Sequence, residues 1–261
     1  MRNHVAYIAV GLGLSLLSTT YLAAQQGAPQ KSPVSSLAAN VTKRIQSTLE
    51  LIASRSPVPT AVTGKPYSLV QTQKTKLFGL DGSIVLIEQI VTKYMRDSEG
   101  REREETYVND NFSRPLAVTI TDPILHRRLF ITPDLHLVKV LHPRDYIPAT
   151  EAEKQKQKGH RTKEPLPSKT ILGVKTVGER IINTGAVSSV SGKPSYQFTI
   201  DSWLAPDLGI VLESHSATKG GVDDTTMETT SITYVAPDSS LFEVPTGYTV
   251  VDVPGNSGTG K

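Results

Sequence analysis

The stretch from Tyr196 to Val211 constrains the fold more than any other part of this chain. Its first half alternates apolar and polar side chains. Because successive side chains of a strand point to opposite faces, this spacing predicts one buried and one solvated face. Pro206 and Gly209 suit the tight turn that follows, and residues 208–213 are predicted to form the returning strand. A lone hairpin cannot bury its own apolar face, so the rest of the chain must supply more sheet.

The first 24 residues carry the pattern of a secretory signal peptide. Arg2 gives a charged start, and an uncharged apolar run over residues 5–17 is short for a membrane span. We therefore predict export to the periplasm or the extracellular space, with no stable transmembrane span after processing. Leu22 suits the third position before a cut after Ala24 poorly, so the cleavage site stays open. The alternative is an uncleaved membrane anchor. Residues 25–34 are predicted to be a linker.

One amphipathic helix is predicted between that linker and the first strand. Apolar residues recur at three- and four-residue steps over residues 35–54, which places them on one stripe. Pro57 and Pro59 end the helix. The stripe consists of Leu37, Val41, Ile45, Leu49 and Ile52. A single such helix before a run of strands is expected to pack on the sheet. The alternative is a helix lying on a membrane surface, for which its charge is sparse and aromatic residues are missing.

From Tyr67 onward, β-branched runs alternate with turns, which predicts roughly ten to twelve strands. The run over residues 84–96 begins with apolar residues at both alternating positions, which favours burial on both faces. Residues 143–169 are rich in Lys, Gln, Glu and Pro without an apolar period, and are predicted to be a mobile surface loop. We expect a single β-rich domain over residues 35–252, followed by a flexible tail at 253–261.

The order of elements, with the helix first and hairpins after it, predicts a mainly β fold. We expect one strongly curved antiparallel sheet, an open half-barrel with the helix packed in its concavity, or else a closed barrel.

Three stretches together resemble a group of uncharacterised secreted bacterial proteins. They are residues 94–104 (Tyr-Met-Arg-Asp-Ser-Glu-Gly-Arg-Glu-Arg-Glu), 203–208 (Trp-Leu-Ala-Pro-Asp-Leu) and 237–248 (Pro-Asp-Ser-Ser-Leu-Phe-Glu-Val-Pro-Thr-Gly-Tyr). The layout of residues 60–250 is similar to the superfamily of outer-membrane lipoprotein carriers (LolA-type) and sigma-factor regulators (RseB-type). The resemblance implies an open half-barrel whose mouth is plugged by a helix and whose apolar cavity can take acyl chains. It implies no catalytic residues.

We assign the wall of that cavity to the helix stripe and to the single tryptophan. The residues are Leu37, Val41, Ile45, Leu49 and Trp203. The expected partners are a lipid or a lipoprotein, or another protein of the cell envelope.

The chain contains no cysteine. This excludes disulfides, thiolate zinc sites, iron–sulfur clusters, a cysteine nucleophile and a lipoprotein acyl anchor. We predict no cofactor and no metal. His126, His136 and His142 are close in sequence, but metal ligands usually show closer spacing, so scattered surface histidines are the favoured interpretation.

Catalytic patterns are weak in this sequence. Asp201 and Glu213 would face each other across the hairpin, as in paired-carboxylate glycosidases, but both fall on the predicted wet face. Residues 255–261 match the spacing of a phosphate-binding loop, but such a loop requires a following helix, and this sequence ends at the lysine. No Gly-x-Ser-x-Gly elbow is present. We therefore predict that the protein is not an enzyme.

Two charged regions offer binding surfaces as alternatives to simple solvation. Arg96, Arg101 and Arg103 lie among carboxylates around one turn, which favours an exposed cross-strand ion-pair ladder and leaves partner docking as the alternative. The lysines of residues 154–163 could contact anionic lipid or polysaccharide. A formal net charge of +3 without interleaved aromatic residues argues against nucleic acid.

Three functions follow from these patterns. The first is an exported, non-enzymatic envelope protein that binds an apolar ligand in the half-barrel. The second is a structural or regulatory interaction protein without a cavity, in which the Thr-rich strand 223–234 forms an exposed edge for strand addition. The third, a hydrolase, requires converging carboxylates or histidines.

Overall fold

The computed structural model describes residues 34–79, 81–108, 112–143, 160–185, 197–220 and 223–254. The predicted signal peptide, most of the linker and nearly all of the predicted tail lie outside these residues. Within them, the chain forms one helix and twelve strands. The elements are α1 (Val34–Arg55), β1 (Tyr67–Phe78), β2 (Ile84–Arg96), β3 (Glu102–Val108), β4 (Ala117–Asp122), β5 (Arg127–Thr132), β6 (Leu137–Leu141), β7 (His160–Ile171), β8 (Val174–Thr184), β9 (Gln197–Ala205), β10 (Ile210–Thr218), β11 (Asp223–Thr233) and β12 (Thr249–Val253).

All twelve strands belong to one sheet, in the order β12-β6-β5-β4-β3-β2-β1-β11-β10-β9-β8-β7. Neighbouring strands are antiparallel, except that β12 runs parallel to β6.

The prediction of a mainly β fold with an N-terminal helix packed on the sheet is confirmed. The prediction of a strongly curved half-barrel is wrong, because the sheet is not strongly curled. Within the described residues, α1 packs mainly against β4 and β5, on the half of the sheet away from β7.

The half of the sheet that carries α1 is covered on both faces. On one face, Ile45, Leu49 and Ala53 of α1 form a buried cluster with side chains of β2, β4, β5 and β6, including Phe130. On the other face, Phe242 from the short 3-10 turn Ser239–Phe242 packs against β4, β5 and β6. This double cover explains why almost every residue of β4 and β5 is buried.

The prediction of a mobile loop at residues 143–169 is wrong for the second part of that range. Residues from His160 onward form β7, which pairs with β8 at one edge of the sheet. The side chains of Arg161, Lys163 and Glu164 are exposed, so the strand shows no apolar period. Backbone pairing on one side is sufficient for an edge strand, and charged residues suit such a position. The earlier part of the predicted loop, at 144–159, lies outside the described residues.

The expected burial of the start of β2 is also wrong. Ile84, Val85 and Ile87 are 51%, 51% and 59% exposed, respectively. Burial on both faces begins only at Ile90, where β3 joins the sheet and α1 lies above it. A short apolar run does not by itself distinguish a buried strand from an exposed one.

The prediction of an exposed edge at residues 223–234 is wrong as well. The strand β11 lies inside the sheet, paired with β1 on one side and with β10 on the other. Two of its threonines form buried hydrogen bonds to neighbouring strands. Thr225 hydrogen-bonds Thr75 at 3.0 Å, and Thr229 donates to the carbonyl of Leu212 at 2.7 Å. Satisfied hydroxyls of this kind allow a polar strand to be buried.

Candidate ligand cavity beneath the helix

A cavity of about 80 Å³ lies between the C-terminal half of α1, the prolines after it and the face of β1 to β5. Its roof is apolar, because Leu49, Ile52 and Ala53 point down from the helix. Its floor is mixed. The floor and side walls contain Ser56, Pro57, Pro59, Tyr67, Tyr94, Met95, Glu102, Arg103, Glu104, Thr119, Thr121 and Arg128. The site is therefore amphipathic, with an apolar roof above hydroxyl, carboxyl and guanidinium groups.

The roof is held in place by Arg128 on β5. Its guanidinium donates to the carbonyl oxygens of Ala53, of Ser56 at 2.9 Å and of Pro57 at 3.2 Å. The last carbonyls of a helix have no intrahelical partner and carry the negative end of the helix dipole. A buried arginine at this point satisfies one of them, the carbonyl of Ala53, and attracts the helix end electrostatically. A second link joins Lys139 of β6 to Glu50 at 2.5 Å.

Glu104 lies on the floor of the cavity. It lies in a cross-strand row between Tyr94 of β2 and Thr119 of β4. Desolvation raises the pKa of Glu104 to about 7, although the positive charge of Arg128 and a hydrogen bond to Tyr94 lower it; the charge of Glu102 raises it further. The carboxyl can therefore exchange a proton near neutral pH beneath the helix.

Glu104 should make stability depend on pH. Its pKa is higher in the folded chain than the ordinary value of 4.5, so the folded state holds a proton that the unfolded state loses. Stability should therefore fall as pH rises from about 4.5 to about 7, by up to about 3 kcal/mol for this group. Glu104→Gln should remove most of this slope. Urea unfolding of both proteins between pH 4.5 and 8 measures it.

The matched control for this prediction is Glu228→Gln, which changes an exposed carboxylate and should leave the slope as it is. Burial also raises the pKa of Glu88, so a residual slope of the same sign should remain. Identical slopes for the wild-type protein and Glu104→Gln would contradict the assignment.

The residues predicted to line a cavity are only partly brought together. Leu49 lines the cavity, and Ile45 is buried in the cluster beside it. The side chains of Leu37 and Val41 lie outside the described part of the chain. Trp203 lies elsewhere, on β9: Lys169 sits 3.4 Å from its ring centre, and its indole donates to the carbonyl of Pro167 at 3.1 Å. Whether these residues hold a ligand stays a prediction.

The three stretches behind the family resemblance meet in the folded chain. Arg96 of the first stretch donates to the carbonyl of Leu208 at 3.0 Å, at the end of the second. Arg101 contacts Glu243 at 3.2 Å, and Arg103 donates to the carbonyl of Leu241 at 2.7 Å, both in the third. The expected exposed ion-pair ladder is therefore wrong for Arg96, which is 1% exposed. These arginines link segments that are distant in sequence to the β2–β3 hairpin.

The weaker catalytic and metal patterns do not converge. Asp201 pairs with Arg180 at 2.6 Å, while Glu213 pairs with Lys169 at 2.5 Å, so each carboxylate has its own cation. His142 contacts Asp252, and His136 packs on the ring of Tyr248. Within the described ranges, no three His, Asp or Glu side chains are placed to hold a metal ion. In the same ranges, no helix has both the length and the apolar character needed to cross a membrane.

Comparison with known proteins shows likeness only at the level of solved structures. No family model and no curated protein matches the chain. An uncharacterised conserved protein from Thermus thermophilus is 7% identical, with 72% of this chain and 91% of that chain covered and a TM-score of 0.42. MucB in the MucA/MucB complex of Pseudomonas aeruginosa is 14% identical, with a TM-score of 0.39; the aligned region spans 72% of this chain and 59% of that one.

A domain assigned to outer-membrane lipoprotein sorting in Vibrio parahaemolyticus is 8% identical, with 68% of this chain and 89% of that chain covered and a TM-score of 0.28. MucB is a homologue of RseB. Both groups named in the resemblance above are thus among the solved structures that this chain resembles.

Proposed function

We propose that this chain is an exported, non-enzymatic protein of the cell envelope that holds the apolar part of a lipid or lipoprotein between α1 and the sheet. The observation that carries the proposal is the cavity beneath α1, where Leu49, Ile52 and Ala53 form an apolar roof. Burial of an alkyl chain against such side chains contributes about 0.8 kcal/mol for each methylene group. Export is supported by the charged start and the apolar run at residues 5–17.

The size of the cavity implies that α1 moves when the ligand enters. A volume of about 80 Å³ is smaller than the roughly 300–1,000 Å³ typical of small-molecule pockets. The helix rests on a short apolar stripe and on two polar links, from Arg128 and Lys139. Water can replace both polar links when the helix lifts. Lifting the helix would join the cavity to the space that the stripe now fills.

Filling the cavity should weaken ligand binding. Ile52 lines the roof, whereas its neighbour Leu51 is 47% exposed. We expect Ile52→Trp to weaken binding of 11-(dansylamino)undecanoic acid roughly tenfold, which corresponds to about 1.4 kcal/mol, and Leu51→Trp to leave it unchanged. Dansyl fluorescence titration of the purified proteins measures both. Native mass spectra of the wild-type protein should show a bound acyl species, and equal affinities for the two variants, or no binding at all, would refute the proposal.

The requirement for helix movement can be tested separately because the chain has no cysteine of its own. Glu50 and Lys139 are in contact, so cysteines at these two positions can be joined by a short bismaleimide. The cross-linked protein should bind the dansyl fatty acid far more weakly than the same double variant before linking. Equal binding would show that the ligand enters without the helix lifting.

A further inference from the structure

The guanidinium of Arg128 has hydrogen-bond partners on both sides of the cavity beneath α1. On the sheet side, its Nε donates to the hydroxyl of Thr121, the residue directly opposite on β4, at 3.0 Å. On the helix side, its Nη1 donates to the carbonyls of Ala53 and Ser56, and its Nη2 donates to that of Pro57. Arg128 is 5% exposed, so these protein oxygens, rather than bulk water, solvate the charge.

Lifting α1 would break only the bonds on the helix side. The carbonyls of Ser56 and Pro57 would move with the helix end, where water can hydrate them. Arg128 would stay on the floor of the cavity, because β5 lies between β4 and β6 within the sheet and Thr121 still holds its Nε. Its Nη1 and Nη2 would then face the opened cavity without the three carbonyls that they bind now. A cation in such a position is costly until other oxygens replace those acceptors.

The charges on the floor favour a negative replacement. The charged residues that line the cavity are Glu102, Arg103, Glu104 and Arg128. Arg103 pairs with Glu105 at 2.7 Å, and Glu102 lies 3.9 Å from the buried Arg96. Burial raises the pKa of Glu104 to about 7, so this carboxyl is mostly uncharged in slightly acidic solution. Under those conditions the charge of Arg128 gives the floor a positive balance.

We propose that the cavity selects an amphiphile with an anionic head, a carboxylate or a phosphate, which replaces the helix-end carbonyls on Arg128 when α1 lifts. This inference rests on the proposed function, in which the apolar part of the ligand lies beneath α1. A carboxylate or a phosphate offers two oxygens that match the two terminal nitrogens of a guanidinium, so the contact is bidentate and charge-assisted. An uncharged head offers only neutral acceptors, which bind a guanidinium less strongly.

The first test compares 11-(dansylamino)undecanoic acid with its methyl ester, which has the same chain and an uncharged head. In fluorescence titrations at pH 6, the wild-type protein should bind the acid roughly tenfold more tightly than the ester. Equal binding of both would overturn this inference and leave the cavity as an apolar site, whereas binding of neither would remove the proposed function with it.

The source of the anionic head is distinguished by competition against the dansyl acid. Stronger displacement by decyl phosphate than by decanoic acid would identify a lipid phosphate, and the reverse order would identify a fatty-acid carboxylate. Displacement by decanol as strong as by either anion would overturn the selection of an anionic head.

Two variants separate a contact with the head from a structural role of Arg128. Arg128→Gln should abolish the preference for the acid over the ester, because both ligands present the same chain to any altered helix. The matched control Lys139→Gln removes the other polar link to α1, the contact with Glu50, and should keep the preference. A preference that survives in Arg128→Gln would show that the head binds elsewhere.

Glu104→Gln tests the same charge balance without changing Arg128. The polar and charged groups that act on Glu104 are Tyr94 of β2, Glu102 of β3 and Arg128 of β5, while the α1 side chains that line the cavity are apolar. In the wild-type protein, affinity for the acid should fall severalfold from pH 6 to pH 8, because Glu104 loses its proton and then repels the anionic head. Affinity for the ester should not change. Glu104→Gln should bind the acid equally at both pH values, and a decrease as large as in the wild-type protein would overturn the inferred charge balance.

Discussion

Arg96→Met is expected to lower the free energy of unfolding by about 3–5 kcal/mol. Arg96 is 1% exposed and donates to the carbonyls of Lys65 at 3.1 Å and Leu208 at 3.0 Å. Its guanidinium lies 4.5 Å from the ring centre of Tyr67 and 3.9 Å from Glu102. Methionine fills most of the volume but leaves two carbonyls without this donor, the one of Leu208 in a buried position, and removes a cation from a partly buried carboxylate.

Urea unfolding at pH 7 measures the loss, with Arg161→Met as the matched control. Arg161 is an exposed residue of the edge strand β7, and its replacement should change stability by no more than about 0.5 kcal/mol. Adding Glu102→Leu to Arg96→Met should recover part of the loss, because the carboxylate is removed together with its cation. A loss below about 1 kcal/mol for Arg96→Met alone would show that Arg96 does not join the two halves of the sheet.

Phe130→Ala is expected to cost about 3–5 kcal/mol as well, through a different mechanism. Phe130 is fully buried on β5, where it packs with Ile45, Leu49 and Ala53 of α1. Its removal leaves a cavity below the helix, so α1 should also lose protection in hydrogen exchange before the sheet does. Phe112→Ala, at a side chain that is 47% exposed, is the control and should cost far less. Unchanged protection of α1 would mean that the helix is held mainly by its polar links.

The parts of the fold that could be predicted from the sequence are those set by local patterns. Alternation with a Pro-Asp-Leu-Gly turn was sufficient for the β9–β10 hairpin, which the structure places at Gln197–Ala205 and Ile210–Thr218. The three- and four-residue period predicted the helix at 35–54, and the structure has it at 34–55. The same period placed Leu49 toward the sheet, where it lines the cavity.

The remaining features depend on contacts between distant residues. Residues 84–87 are all apolar yet largely exposed, whereas β4 is less apolar and buried, because the neighbours β3 and α1 decide which of them is covered. The strand β11 is polar, yet it lies in the interior because Gln71 and Thr75 of β1 satisfy its hydroxyls. The sequence places Glu104 only among the carboxylates of an exposed charged turn and gives Arg128 no role, because the neighbours of these two residues do not reveal that a helix end closes over them. The one indication of the cavity in the sequence was the carboxylate of Glu104, at an alternating position within β3.

The order of strands also determines how this chain can fold. From β1 to β6 each strand pairs with the next one along the chain, and the same holds from β7 to β11. These two meanders are joined by the pairing of β1 with β11, in which Ser68 meets Thr233. Closing so long a loop costs more entropy than forming adjacent hairpins, and non-local pairing slows folding. The β1–β11 seam therefore cannot form until the chain through β11 has emerged, and we expect its closure to be a slow step in assembling the sheet.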